Sequence, residues 1–193
     1  RCPVVIISGR LLKDLRARSG LSGIIYVGNH GLQLHGLRLR PPARLRAALA
    51  DTRRMPEIVR KLRPALRGFP GIVESKVLTA SVHHRNLPPS RRAAFARAMA
   101  GCRQDLRKYP VIWRKGKKVW EIRPAHGWDK GDAVQMIRAR FPGHVAVAIG
   151  DDQTDEDMFR VIGRRGVAVR VGRRRGSRAR YYLKSPGDVE AFL

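Results

Sequence analysis

The chain has 193 residues and carries 41 lysines and arginines against 15 aspartates and glutamates, which gives a formal net charge of +26. With 43% hydrophobic and 29% charged residues it holds enough apolar side chains for a packed core, so wholesale disorder is excluded. Its aliphatic runs reach at most five residues. Because a helix needs roughly 20 apolar residues to cross a bilayer, no membrane helix is expected.

The N-terminal part of the chain predicts two short strands and one helix. Residues 4–7 form a continuous aliphatic run that ends in the polar turn 8–10, and residues 11–18 follow with helical periodicity. Residues 24–27 form a second apolar run, which ends in the polar loop 28–31. Runs that are apolar throughout are typical of parallel strands covered on both faces, so we expect an α/β core.

The middle of the chain has a different pattern and predicts a small α+β layer. The expected elements are, in order, an arginine-rich amphipathic helix at 45–66 interrupted near Pro56, an extended strand at 72–85, a second amphipathic helix at 89–106 and a hairpin with strands at 111–114 and 118–123. We predict an inserted α+β domain at 37–125. Residues 1–36 and 126–193 together are predicted to form the core.

Two further apolar strands are predicted near the C-terminus, at 145–149 and 166–171. The first of them ends in Gly150-Asp151-Asp152. In an open parallel sheet, ligands bind at the carboxyl ends of the strands. The turns after residues 7, 27 and 149 therefore predict one polar site at a single edge of the sheet.

The excess of positive charge has three interpretations: a nucleic-acid binder, a surface that attracts anionic lipids or phosphorylated substrates, or an arginine-rich composition. The arginines are scattered along the chain, with one dense cluster at Arg173-Arg174-Arg175. They are not accompanied by a helix-turn-helix, zinc-finger or aromatic RNA-binding motif. We attribute most of the charge to composition and do not expect nucleic acid as a partner.

The first residues and the cysteines bear on processing and compartment. Arg1-Cys2-Pro3 runs directly into an apolar strand, without an initiator methionine or the layout of a signal peptide, so we expect that the chain begins within a domain. Cys2 and Cys102 have neither metal-ligand spacing nor the pattern of a secreted disulfide framework. A cytoplasmic location is expected.

An acidic run follows the strand at 145–149. Five of the 15 carboxylates lie between Asp151 and Asp157. Oxygen ligands at the end of a strand suit Mg²⁺, which takes one or two carboxylates together with water and substrate phosphate. Alternatively, Thr154 or Asp155 caps the following helix and the other acids favour its positive end. Both interpretations can hold together.

Two residues are candidates for binding a phosphoryl group. Ser8 lies at a strand-to-helix turn, where its hydroxyl and the backbone N–H groups can hold a phosphoryl oxygen. Lys130 lies at the start of a predicted helix near the same edge and can neutralise charge on a transferring phosphoryl group. Taken singly, Ser8 also fits an ordinary turn and Lys130 a solvated lysine.

Together these motifs resemble the haloacid dehalogenase-like phosphatases, in which a Ser-Gly-Arg turn, a helix-borne lysine and a Gly-Asp-Asp turn occur in this order. Further motifs narrow the resemblance to trehalose-6-phosphate phosphatases. These motifs are the segments 28–31 (GNHG), 74–76 (ESK), 81–85 (SVHHR), 116–117 (GK), 121–124 (EIRP), 128–131 (WDKG) and 150–159 (GDDQTDEDMF). The resemblance covers residues 4–193.

The resemblance implies a Rossmannoid core with an inserted α+β cap and an Mg²⁺-dependent hydrolysis of trehalose 6-phosphate. The implied catalytic residues are Ser8, Lys130, Asp151 and Asp155, of which Asp151 and Asp155 would also hold the metal. The implied contacts to the sugar phosphate are Arg10, Asn29, His30, Lys76, Ser81, His83, Arg85, Lys117, Glu121 and Arg123. By the residues alone, Lys76 and Arg85 also fit a solvated strand face, and His83 fits an interior histidine.

The sequence departs from this family in three places. Gln33 and His84 replace a glutamate and a tyrosine that are usual there. These phosphatases also attack phosphorus with the first Asp of an Asp-x-Asp-x-Thr motif on a strand upstream of Ser-Gly-Arg, and the 193 residues do not contain that motif. We therefore expect a truncated fragment with negligible turnover, in which the neighbours of that strand have unpaired edges.

Two alternatives remain open from the sequence. One is a related phosphatase that acts on another sugar phosphate. The other is a non-catalytic pseudoenzyme that binds a sugar phosphate. The sequence does not determine the oligomeric state.

Overall fold

A computed structural model describes residues 2–69, 72–116 and 118–193 of the chain. The helices and strands are, in chain order, β1 (Val5–Ile7), α1 (Leu12–Ser19), β2 (Ile25–Gly28), β3 (Gln33–His35), α2 (Ala43–Asp51), α3 (Met55–Ala65), β4 (Val73–Ser75), β5 (Ala80–His83), α4 (Arg92–Asp105), β6 (Val111–Gly116), β7 (Val119–Pro124), α5 (Lys130–Arg138), β8 (Val147–Gly150), α6 (Glu156–Ile162), β9 (Val167–Val171), β10 (Tyr181–Leu183) and α7 (Gly187–Phe192).

The core contains two three-stranded half-sheets. In the first, β1 pairs in parallel with β2, and β2 pairs in antiparallel with the short strand β3. In the second, β8, β9 and β10 are all parallel. The four predicted core strands are thus confirmed, and β2 is buried throughout, as its continuous apolar run indicates. The edge strands β3 and β10 were not predicted, because three residues are too few for a recognisable period.

A cleft of about 490 Å³ separates the two half-sheets. Its sides are β1, with Val5 and Ile7, and β8, with Val147 and Ile149. In the described residues β1 pairs with β2 alone and β8 with β9 alone, so the expected unpaired strand edges are present. Helices α5 and α6 cover the floor of the cleft with apolar side chains.

The middle of the chain contains a four-stranded antiparallel sheet with the order β4-β5-β7-β6. Because successive residues of a strand point to opposite faces, Val82, Trp120 and Ile122 face helices α3 and α4 and belong to the apolar cluster of this layer. Ser81 and Glu121 are paired across the sheet and lie on its other face. We call this layer the cap. The polar face of its sheet lies toward the core. The domain bounds 37–125 stay a prediction.

Two expectations for the cap differ from the structure in detail. Residues 72–85 were predicted as one strand but form β4 and β5, which are joined by a tight turn in which the Lys76 N–H donates to the Thr79 carbonyl at 2.8 Å. The turn depends on Val77 with φ of 63°, which the residue type does not predict. The helix predicted at 45–66 is interrupted as expected, and Pro56 lies in the first turn of α3, where proline is tolerated.

Two further findings concern the chain as a whole. None of the helices in the described ranges is long and apolar enough to span a bilayer. Cys2 is exposed and Cys102 is buried, and both are free thiols.

Candidate active site

Four predicted residues meet at the carboxyl end of the cleft between β1 and β8. Ser8 directly follows β1, and Asp151 directly follows β8. Lys130, the first residue of α5, and Asp155 complete the lining there. The expected convergence of these two strand ends is observed, since Ser8 and Asp151 line the same cleft.

Lys130 is buried, which rules out the solvated-lysine interpretation. Its Nζ lies 2.7 Å from Asp155 Oδ1, and both side chains are almost fully covered. The start of α5 is held by a capping box, in which the Asp129 side chain accepts from the Asp132 N–H and the Asp132 side chain accepts from the Asp129 N–H. This cap fixes where the lysine leaves the helix.

Asp155 has both carboxylate oxygens engaged. Oδ1 accepts from Lys130, and Oδ2 accepts from the Asp152 N–H at 2.9 Å. In this arrangement Asp155 closes the acidic turn and holds the lysine. The expected cap is not found, because the Asp155 side chain makes no hydrogen bond to the start of α6, and the capping box of the turn is instead formed by Asp152 and Asp155. Its predicted role as a metal ligand stays a prediction.

Asp151 is the carboxylate of this group that is open to solvent. In the described residues, three or more His, Cys, Asp or Glu side chains do not gather into a cluster that would chelate a metal by itself. A hard ion that takes one carboxylate, with water and substrate phosphate as its other ligands, fits Asp151. Asp151 is therefore the residue of this group that could hold such an ion.

The acidic turn is supported by Arg170, which sequence reasoning missed. Arg170 Nη2 donates to the Asp151 carbonyl at 2.7 Å, and Nη1 donates to the Glu156 carboxylate at 3.0 Å. The side chain is buried, although it lies in the apolar strand β9. A single arginine within the apolar run Val167–Val171 could have indicated a buried, paired side chain. It did not stand out, because the chain contains many other arginines.

A second group of predicted residues joins the core to the cap. His30, in the loop after β2, contacts Glu121 and Arg123 on β7: His30 Nε2 is 3.1 Å from Glu121 Oε1, and His30 Nδ1 is 2.8 Å from Arg123 Nη2. Arg123 also pairs with Glu121. The group adjoins the Ser8 turn, because a Cβ added at Gly9 would lie 2.3 Å from the His30 ring.

The titration of this group follows from its burial. Desolvation lowers the pKa of His30 from 6.5 to about 4; the charges of Arg123 and Lys130 act in the same direction, and Glu121 opposes them. Burial alone would raise the pKa of the Glu121 carboxyl, but the hydrogen bond from His30 and the charge of Arg123 outweigh it and hold that pKa below its ordinary value. His30 is therefore neutral and Glu121 ionised near pH 7.

A third group lies at the junction of the core loop and the turn between β4 and β5. Asn29 is buried; its Nδ2 donates to the Lys76 carbonyl at 2.9 Å, and its Oδ1 accepts from the Thr79 hydroxyl at 2.6 Å. Lys76 Nζ lies 3.9 Å from Glu74, which also pairs with His83 at 2.6 Å. Lys76 is largely covered and His83 is half exposed, so neither alternative suggested for them holds.

The remaining predicted contacts are dispersed. Ser81 is buried beside Glu121 on the polar face of the cap sheet. Arg10 and Arg85 are exposed, and neither forms an ion pair with a described residue. Lys117 lies outside the described residues.

The sequence of the chain matches one family model over most of its length. The model, described as trehalose-phosphatase, matches residues 1–186. The chain belongs to this family. Relatives include a trehalose-phosphate phosphatase of Mycobacterium marinum, 36% identical over 208 residues, and a probable trehalose-phosphate phosphatase 4 of Oryza sativa, 32% identical over 202 residues.

These relatives of the trehalose-phosphatase family are longer than the chain. The alignments cover 100% and 99% of this chain but 51% and 54% of the two relatives. The chain therefore spans about half the length of the curated relatives that it matches.

Solved structures show that the fold is that of the trehalose-phosphatase family. A trehalose-6-phosphate phosphatase related protein superposes with a TM-score of 0.76 at 20% identity, covering 100% of this chain and 79% of that one. The C-terminal domain of the Candida albicans trehalose-6-phosphate phosphatase gives 0.70 at 22% identity, with coverage of 97% and 75%. The predicted α/β fold class is confirmed.

Proposed function

We propose that the chain carries the substrate site of a phosphatase that hydrolyses trehalose 6-phosphate to trehalose and phosphate. The observation that carries this proposal is the convergence of Ser8, Lys130, Asp151 and Asp155 at one end of the cleft, beside the His30–Glu121–Arg123 group of the cap. Membership of the trehalose-phosphatase family supports the identity of the sugar.

The phosphate end of the site uses positive charge and hydrogen-bond donors. Ser8 and the backbone N–H groups of its turn hold phosphoryl oxygens, and Lys130 neutralises the charge that develops on them. Asp155 pairs with the lysine and holds it in place. Asp151 would hold Mg²⁺, which as a bound cation polarises the phosphoryl oxygens.

The sugar end of the site lies on the cap. The Glu121 carboxylate can accept hydrogen bonds from sugar hydroxyls, and Arg123 and Lys76 can donate to sugar or phosphate oxygens. Glu121 and Arg123 are mutually paired and bonded to His30, so they are held in position before a substrate arrives. This preorganisation lowers the entropy lost on binding.

The residue that attacks phosphorus is proposed to come from a further strand that fills the cleft between β1 and β8. Both sides of the cleft are parallel strand edges, its walls are apolar, and its carboxyl end opens on Lys130 and Asp151. A carboxylate at the end of such a strand would lie beside the phosphoryl group. The 193 residues alone are therefore expected to bind the substrate without turning it over.

Binding and turnover test this proposal separately. In titration calorimetry, the chain is expected to bind trehalose 6-phosphate more tightly than trehalose, sucrose 6-phosphate or glucose 6-phosphate. Lys130→Met is expected to weaken trehalose 6-phosphate binding by about 10- to 100-fold, the value of a charge-assisted hydrogen bond. Lys61→Met, on the exposed side of α3, is the matched control and should leave it unchanged.

Addition of a strand that carries the Asp-x-Asp-x-Thr motif ahead of residue 1 is expected to yield Mg²⁺-dependent phosphate release that Asp151→Asn abolishes. Phosphate release by the chain without this strand, lost on Asp151→Asn, would overturn the proposal for the nucleophile. Equal affinity for all three sugar phosphates would overturn the assigned substrate.

A further inference from the structure

A second cavity, also of about 490 Å³, lies on the opposite face of the cap sheet from Glu121 and Arg123. We call it the rear cavity; it lies between α4 and the β6–β7 hairpin. Trp120 forms part of its wall, and Trp120 faces away from the active site because Glu121, the next residue of β7, faces toward it. The rear cavity is thus separate from the cleft between β1 and β8.

The polar lining of the rear cavity is cationic. It contains His84 and four basic side chains, Arg92, Arg103, Lys115 and Lys118, and no carboxylate. In the described part of the chain none of these four cations has an ion-pair partner. Lys130, Arg123 and Lys76 in the active-site region, by contrast, are each paired with a carboxylate. Four uncompensated cations around one cavity create a strong local attraction for anions.

The walls of the rear cavity are apolar and aromatic. Arg103 and Lys115 lie over the Trp120 ring, with distances of 5.5 and 5.8 Å to its centroid. Phe95 packs against His84 with ring centroids 5.3 Å apart. A ligand that combines a flat organic part with a multiply charged part matches this lining, because rings pack on aromatic walls and phosphates pair with cations.

His84 lies in the wall of the rear cavity. Its Nε2 is buried and has no hydrogen-bond partner in the described residues. Burial, followed by the charges of Lys115, Lys118 and Arg92, lowers the pKa of His84, so the imidazole is neutral beside an excess of positive charge. An anion bound in the rear cavity would supply the compensating charge.

We propose that the rear cavity binds a small polyphosphate, whose phosphates pair with Arg92, Arg103, Lys115 and Lys118 and whose organic part, where present, packs on Trp120. The ligand class includes nucleoside polyphosphates and inorganic polyphosphate. Trp120 and Glu121 are consecutive on β7, so this site and the sugar end of the active site share one strand.

Calorimetry with ATP, AMP and inorganic triphosphate tests the proposal on the full chain. ATP and triphosphate are expected to bind at least tenfold more tightly than AMP. The triple variant Arg92→Gln/Arg103→Gln/Lys118→Gln is expected to weaken ATP binding at least tenfold. The charge-matched control Arg60→Gln/Arg63→Gln/Arg67→Gln removes three exposed cations near α3. This control is expected to change the affinity for ATP less than twofold.

Histidine NMR locates the bound anion. Saturating ATP is expected to raise the pKa of His84, because the anion offsets Lys115, Lys118 and Arg92. Lys130→Met should preserve this effect, which separates the rear cavity from the active site. If Trp120→Leu weakens the binding of ATP but not of triphosphate, the site recognises an organic group together with the phosphates. If the variant changes the binding of both ligands equally, the site recognises the phosphate chain alone.

Equal loss of binding in the two triple variants would overturn the proposal, since it would show general attraction to a chain of charge +26. Absence of ATP and triphosphate binding, or an unchanged pKa of His84, would also overturn it. These results are independent of the proposed phosphatase function, because trehalose 6-phosphate binding is measured separately and does not use these four cations.

Discussion

His30 is a neutral hydrogen-bonding centre between the core and the cap. Arginine has no acceptor atom, so Arg123 must donate to His30 Nδ1, and the ring proton must be on Nε2, where it is donated to Glu121. Protonation of Nδ1 would break the bond from Arg123 and bring two positive charges together. Burial is the main reason that the pKa of His30 falls to about 4, and the charge of Arg123 acts in the same direction.

At the scale of this residue, we expect stability to depend on pH. Between about pH 4 and 6.5 the unfolded chain binds a proton at His30 that the folded chain does not, so the free energy of unfolding rises with pH and is lost as the pH falls through this window. The loss attributable to His30 is at most about 3 kcal/mol. Urea unfolding at intervals between pH 5 and 7 measures the upper part of this window.

His30→Gln is expected to flatten this pH dependence, and His83→Gln, at a half-exposed position, is the control that should keep it. His84 also has a lowered pKa and adds a contribution of the same sign, so the comparison is made between variants and the parent chain. An identical slope in His30→Gln would contradict the assignment.

At the scale of elements, α5 and α6 approach closely at a glycine. A Cβ added at Gly131 would lie 2.3 Å from the Asp157 carbonyl oxygen, which belongs to the backbone of α6 and cannot rotate away. Gly101 in α4 is also helical, but a Cβ there would meet no heavy atom of the described chain within 4 Å. The two glycines thus differ in tertiary contact and not in local conformation.

We expect Gly131→Ala to destabilise the fold by about 1–3 kcal/mol, because the helices must separate to admit the methyl group. Gly101→Ala should stabilise it by about 0.5–1 kcal/mol, because alanine loses less backbone entropy in a helix. Thermal and urea unfolding of the two variants measure both effects. A stabilising Gly131→Ala would show that α5 and α6 are not packed as described.

At the scale of the whole molecule, two opposing features control self-association. The unpaired edges of β1 and β8, with Val147 54% exposed, are templates for pairing with another strand. The net charge of +26 repels a second copy over a distance that salt shortens from about 30 Å at 0.01 M to about 3 Å at 1 M. Association should therefore be suppressed at low salt.

We expect the isolated chain to associate increasingly as salt is raised, as measured by light scattering during size-exclusion chromatography. Val147→Lys places a charge on the edge of β8 and is expected to reduce this association severalfold. Leu21→Lys adds the same charge at an exposed apolar position outside the sheets and serves as the control. Equal effects of the two variants would show that the strand edge is not the contact.

The fold was predicted from patterns formed by residues that are neighbours along the chain. Continuous apolar runs identified the core strands β1, β2, β8 and β9, and Pro56 marked the break between α2 and α3. The turn at Val77 was missed because a β-branched residue rarely adopts a positive φ, and only the surrounding contacts hold it there.

By itself the sequence determined the core strands, the residues at their carboxyl ends and the family. Tertiary structure alone decided what those residues do to one another: Asp155 holds Lys130, Arg170 supports the acidic turn, and His30 is neutral between Glu121 and Arg123. The physical reason is that strand periodicity is a property of neighbouring residues, whereas burial and charge pairing join residues that are distant along the chain.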